Sequence, residues 1–235
     1  MRLVDGVRDA LELVALSGRL VGGRRYWLAP LLPLLWPAFQ AIRLVTGLRD
    51  EAFEPVGAQN SLIGLPLVVL AIGLGVRVIA GEIDRRTLEI AYTVPGGSQR
   101  VWLAKLAAAA ALLVASELML AVVVYFFFTS YPPGALYGAL QSALVFLVAA
   151  MALAALFASE ITGAMGTVVV LLLASLPGGG SRLSPFFNPL AVDETSAVTV
   201  LAWTVQNRVG YLLAIAAVIA LAFARAERRE RLLAG

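Results

Sequence analysis

Hydrophobic residues dominate this chain in long runs, and the polar positions fall into a few compact groups between them. Residues 1–20 alternate with helical period: Leu3, Val4, Val7, Leu11 and Val14 share one side, while Arg2, Asp5, Arg8, Asp9 and Glu12 share the other. That pattern predicts an amphipathic helix over residues 1–25, lying flat at a membrane interface. Six apolar spans follow, roughly Tyr26–Val45, Ser61–Ala80, Val101–Phe128, Ala135–Ala158, Ile161–Leu176 and Val209–Ala224. A helix needs about 20 residues, at 1.5 Å each, to cross ~30 Å of hydrocarbon. The last two runs are short and need flanking residues to complete a crossing. The first is interrupted by Pro30, Pro33 and Pro37.

The reading is therefore an all-α membrane protein with one transmembrane domain. Residues 26–224 form a six-span bundle, and residues 225–235 a cytoplasmic tail. Between spans five and six, Pro177–Ala202 combines three glycines with Ser184-Pro185-Phe186-Phe187-Asn188-Pro189. Aromatics beside prolines at a membrane boundary predict a short re-entrant or interfacial piece. Thr195 or Ser196 is placed to cap the helix entering span six, and Ser98 to cap span three.

Composition agrees. The chain is 60% hydrophobic and 14% charged over 235 residues, and its mean hydropathy is +0.88. A soluble domain of this size cannot bury so much apolar surface. Cysteine and histidine are both absent, which excludes disulfides, thiol nucleophiles, imidazole proton relays and His-based metal motifs. Lys105 is the single lysine and Leu106 follows it, so no Gly-Lys-Ser/Thr phosphate loop exists. Asp5, Asp9 and Glu12 fall where a signal peptide would be apolar, so none is expected.

The net charge of +3 does not predict nucleic-acid binding, because the arginines flank the apolar spans. Arg2, Arg8, Arg19, Arg24 and Arg25 precede span one. Arg77, Arg85, Arg86, Arg100 and Lys105 gather around the junction of spans two and three, and Arg225, Arg228, Arg229 and Arg231 follow span six. The positive-inside rule then places both termini in the cytoplasm.

Two polar features carry candidate chemistry. The first is a charged island after span two, Glu82-Ile83-Asp84-Arg85-Arg86-Thr87-Leu88-Glu89-Ile90, followed by Pro95. Its charges recur at three- and four-residue spacing, which suits a short surface helix with Glu82–Arg86 and Arg85–Glu89 pairs. The second is Glu117, about 18 Å along span three from Lys105, where a charge costs at least ~2.5 kcal/mol unless it faces protein or a wet cavity. It is a candidate pathway residue; a hydrogen bond to Gln141, Ser142 or a neighbouring backbone is the structural alternative. Arg77 is expected to snorkel to the inner interface, Glu160 to lie in the inner turn between spans four and five, and Arg208 to snorkel outward or pair with Asp193 or Glu194. Gly134 and Gly138 form a small-xxx-small pair.

The island resembles the signature of type-two ATP-binding-cassette (ABC) transporter permeases, roughly Glu-Arg-Glu-x-Gly-Thr-Leu-Glu-x-Leu, then Pro, then a Gly-Lys opening the next helix. Thr87, Leu88, Glu89, Pro95 and Lys105 match; Arg86 stands in place of the usual Gly, and Ala104 in place of another. The predicted topology of the whole chain resembles that family as well. The resemblance implies a half-transporter, mostly of exporting kind, in which two permease copies or homologues pair above two cytoplasmic ATPase subunits. The island would be the coupling helix, with Glu82, Asp84, Arg85, Arg86, Thr87, Leu88, Glu89, Ile90 and Pro95 at the ATPase. ATP and Mg would be bound by the partner chain, with no cofactor on this one, in the inner membrane of a prokaryote. The alternatives are an intramembrane enzyme using Glu117 and a membrane anchor that recruits a cytoplasmic protein without transport. The mostly apolar spans lean toward a lipid-like, amphipathic or peptide substrate.

Overall fold

The computed structural model describes residues 12, 15–49, 51–84, 97–177, 180–192 and 196–227. Those residues are all-helical, with no strand among them. Six helices form the bundle: α1, Tyr26–Val45; α2, Pro55–Asp84; α3, Ser98–Phe127; α4, Gly134–Phe157; α5, Glu160–Ser175; and α6, Ala197–Ala226. All but α5 are long and apolar enough to cross a membrane. Helix α5 has 16 residues, about 24 Å of rise, so of the six expected spans five have the length and composition to cross. The amphipathic face expected over residues 1–20 lies largely outside the described residues; residues 15–22 are helical.

Local sequence explains the irregular stretches. In α1, Tyr26–Leu34 is a 3-10 helix containing Pro30 and Pro33, and Leu35–Val45 is α-helical. Each proline removes a backbone donor that an α-helix would use. The 3-10 rise of about 2.0 Å per residue stretches the 20-residue element to about 34 Å. Helix α2 opens with Pro55 in its first turn and widens into a π-helix over Ala58–Gly64. It runs 30 residues, well beyond Ser61–Ala80. Helix α6 also begins far earlier than Val209. Gln206, Asn207 and Arg208 interrupt the apolar run but not the helix, which Ser196 caps by accepting from the Thr199 N–H at 3.4 Å. Ser98 is not the cap of α3: Gly97 holds that position with φ +80°, and Ser98 is the first helical residue. The two-residue turn from α4 to α5 places Ala158 in the left-handed region (φ +51°), and Ser159 then caps α5.

Helix α4 is the hub, packing against α2, α5 and α6. Toward the start of α2, Leu62, Leu67, Ala71, Leu113, Leu120 and Leu147 form one apolar cluster. Toward its end, Val78, Ile79, Trp102, Met151, Ala155 and Phe223 form another. The best apolar window of α2 is 72% buried, that of α6 only 17% and that of α1 28%. These two outer helices therefore present most of their apolar surface to lipid or to another protein, as a bilayer permits.

Candidate functional site

The described part of the island ends with α2 at Asp84, and α3 opens at Ser98. Residues 85–96, which include Arg85, Arg86, Thr87, Leu88, Glu89, Ile90 and Pro95, lie outside the described residues. Their base is well defined. Val78 and Glu82 are one helical turn apart on α2, and Trp102 and Lys105 one turn apart on α3, so each pair shares a face. Lys105 Nζ donates to Glu82 Oε1 at 2.5 Å and to the Val78 carbonyl at 3.3 Å. Trp102 Nε1 donates to Glu82 Oε2 at 3.1 Å, and its ring lies 5.6 Å from that of Phe223 on α6. Glu82 is 8% exposed, Lys105 3% and Trp102 fully buried. Glu82 is therefore not the surface docking residue that its spacing suggested. It belongs to α2 and clamps α2 to α3. A buried charge pair of this kind requires that further hydrogen bonds satisfy its remaining polar atoms, and Trp102 and the Val78 carbonyl do so.

A second group rims the knot. Asp84 Oδ2 accepts from the Glu160 N–H at 3.1 Å, a carboxylate placed at the N-terminus of α5 where the helix dipole favours it. Glu160 Oε2 lies 3.7 Å from Arg77 Nε, in a half-exposed pair of modest strength. Arg77 also donates to the Val21 carbonyl at 3.2 Å, so it tethers residues 15–22 as well as reaching toward the interface. Gln99 donates to Glu227, joining α3 to the end of α6. Asp84, Glu160 and Arg77 thus come together beside the knot and link α2, α5 and the N-terminal helical stretch. Arg77 also closes one end of an apolar groove of about 570 Å³ between α1 and α2, lined by Pro33, Trp36, Leu65, Val69 and Gly73.

Glu117 lies apart from this group. It is 5% exposed, and its Oε1 has no hydrogen-bond partner. Of its expected partners neither side chain reaches it, whereas the backbone of Leu140 on α4 does interact with the carboxylate. Ser142 donates to the Gly138 and Ala139 carbonyls of its own helix, and Gln141 donates to Asn207. Among the described residues no cluster of three or more His, Cys, Asp or Glu is arranged to hold a metal.

The far end of the bundle carries a network that sequence reasoning missed. Residues 180–192 fold back over the helices and are held by side-chain amides. Gln59 and Asn60, on the π-helix, donate to the Phe187 and Phe186 carbonyls at 3.0 Å each. Asn188 donates to the Val56 carbonyl at 2.8 Å, and Asn207 to the Arg182 and Ser184 carbonyls at 2.9 Å each. The signal was available: buried amides at the ends of apolar spans need partners. Gly138 makes room for Gln59, because a Cβ there would lie 2.5 Å from the Gln59 amide. Gly134 faces open space, so of the small-residue pair only Gly138 serves packing.

Asn207→Leu removes two hydrogen bonds to this segment and one to Gln141, a loss of about 2 kcal/mol. Since the chain lacks cysteine, Leu190→Cys provides a single labelling site on the segment. Maleimide labelling at this position is expected to accelerate in the Asn207→Leu background; an unchanged rate would show that the amides do not hold the segment.

No family model, curated protein or solved structure matches this chain.

Proposed function

We propose that the chain is the membrane-embedded permease subunit of an ATP-driven ABC exporter, powered by a separate cytoplasmic ATPase. The observation that carries this reading is the buried Glu82–Lys105–Trp102 knot at the base of the charged island. A segment that only set topology would need no such anchor. An anchored one moves with its helices, so a push on residues 85–96 displaces α2 and α3 together, and α4 and α6 through their packing. The absence of a phosphate loop from the sequence agrees with hydrolysis on a partner that binds ATP and Mg. The motif Thr87-Leu88-Glu89 with Pro95 and Lys105 supplies the family reading. With it come a paired second permease, a prokaryotic inner membrane and both termini in the cytoplasm. An intramembrane enzyme using Glu117 has less support, since no second carboxylate is paired with it among the described residues.

The test is affinity purification of the intact chain from its native membrane. A stoichiometric ATPase containing a phosphate loop is expected to accompany it. Paired Arg85→Glu and Arg86→Glu substitutions are expected to reduce that recovery at least about tenfold, through like-charge or unpaired contacts at the docking surface, while the permease stays inserted. Full recovery of the ATPase with the doubly reversed variant would remove the docking assignment.

A further inference from the structure

Two arginines lie among the apolar helices, and they differ in access. Arg208 was expected to snorkel outward or to pair with Asp193 or Glu194, which lie outside the described residues. It is instead enclosed, 9% exposed, with its Cζ 5.1 Å from the centroid of the Tyr137 ring. Arg77 is open. Its side chain is 43% exposed and closes one end of the groove between α1 and α2. Of the five N–H donors of a guanidinium, only one is hydrogen-bonded here among the described residues, through Nη1 to the Val21 carbonyl. The Glu160 carboxylate faces Arg77 from α5, but at 3.7 Å from Nε it is too far for a hydrogen bond.

The groove runs along one stripe of α2. That helix has the most buried apolar window of the five spans, yet Leu65, Val69, Gly73 and Arg77 are exposed. Their four-residue spacing puts them on a single face. Gly73 has nothing within 4 Å of a Cβ built on it, so the floor is open at its centre. Pro33 and Trp36 of α1 form the opposite wall, and Trp36 is fixed by donating from Nε1 to the Ser61 carbonyl at 2.8 Å. From Leu65 to Arg77 the helix rises about 18 Å. A volume of about 570 Å³ spread over that ~18 Å leaves a cross-section of about 30 Å². An extended hydrocarbon chain fits such a channel, whereas a helix of a second protein, about 10–12 Å across with its side chains, does not.

We infer that this groove holds one acyl chain of a membrane-resident anionic phospholipid, with the lipid phosphate on Arg77. Arg77 stands seven residues, about 10 Å, before the end of α2 at Asp84, and an arginine stem spans part of that distance toward the headgroup layer. The unused donors of the guanidinium match a phosphate through charge-assisted hydrogen bonds. Arg24 and Arg25 are exposed just after Gly22, which lines the Arg77 end of the groove. Three cations at one end favour a lipid of net negative charge. A zwitterionic headgroup carries its own cation into the same place and gains less. The site stands whether or not the chain serves a transporter.

Native mass spectrometry of the detergent-purified intact chain, with any partner that accompanies it, tests the groove with two probes, dioleoylphosphatidylglycerol and dioleoylphosphatidylcholine. One phosphatidylglycerol is expected to remain bound in preference to phosphatidylcholine. Arg77→Gln is expected to weaken its retention about tenfold, the loss of a charge-assisted hydrogen bond. Gly73→Leu places a side chain in the open floor and is expected to weaken retention as strongly, with the headgroup contact left intact. Arg49→Gln, which removes a cation stacked on Phe53, is expected to leave retention unchanged. Equal retention of both lipids by the unaltered chain, a reading that needs no variant to fold, would overturn the proposal. So would retention of phosphatidylglycerol that neither Arg77→Gln nor Gly73→Leu reduces. A chain that holds no lipid and forms a dimer through α1 and α2 would assign the groove to a second copy and overturn it as well.

Discussion

Lys105→Met is expected to destabilise the protein by about 3–5 kcal/mol, the cost of leaving a buried carboxylate without its cation. Methionine keeps the apolar stem of the lysine and lacks only its terminal ammonium, so packing around Trp102 and Phe223 changes little and the effect reports mainly the lost charge. Glu82 would retain the Trp102 donor but lose its ammonium partner at 2.5 Å. For a chain of this size the loss corresponds to about 10 °C or more in apparent melting temperature, measured by size-exclusion after heating in detergent. Adding Glu82→Gln to Lys105→Met removes the lone charge and is expected to restore most of the stability. Failure of the double variant to recover would mean that Lys105 acts through packing rather than through Glu82.

Gly75→Val carries the other large effect. A Cβ at position 75 would collide with the Leu147 carbonyl oxygen and come within 2.9 Å of Ala150 Cβ. Backbone oxygen cannot rotate out of the way as a flexible side chain can, so α2 and α4 must separate. Overpacking of this kind costs about 3 kcal/mol or more, and here it opens the contact between the hub helix and its main partner. Gly73 lies two residues away on the same helix and faces open space, with nothing within 4 Å of a Cβ built there. Gly73→Ala is therefore expected to be neutral or to stabilise by a few tenths to about 1 kcal/mol through helix propensity. Thermal stability of the two variants in parallel distinguishes a specific close approach from a general intolerance of side chains in α2. Equal losses would contradict the packing described.

The contrast between these two glycines illustrates what the sequence makes legible. Both sit in the same apolar run, and no local pattern separates them, because the difference is the position of α4. The uninterrupted runs of α3 and α4 were readable to within a few residues, since continuous apolar sequence and flanking Gly or Pro mark both ends. Helix α6 was read as starting twelve residues too late. Gln206-Asn207-Arg208 looks like a boundary until residues 180–192 are in place to receive Asn207. The prolines of α1 announced an interruption, but not that a 3-10 turn would absorb it.

At the candidate site, the charge spacing of the island pointed to surface pairs, yet Glu82 turned inward. The sign of this lay outside the island: Lys105, the sole lysine, three residues after Trp102 in an otherwise apolar helix, needs a buried acceptor. Glu117 was readable as a buried acid, whereas the engagement of Gln141 with Asn207 was not, because it depends on the α4–α6 contact.

The central claim is that residues 85–96 dock on a cytoplasmic ATPase. Site-specific photocrosslinking tests it most directly, with a photoreactive phenylalanine analogue placed singly at Thr87, Leu88 and Ile90 in the native membrane. The account predicts a discrete adduct whose second component is a phosphate-loop ATPase, strongest on one face of the segment and altered by ATP with vanadate. Adducts only to lipid, to the chain itself or to proteins without a nucleotide-binding domain, from all three positions, would contradict it.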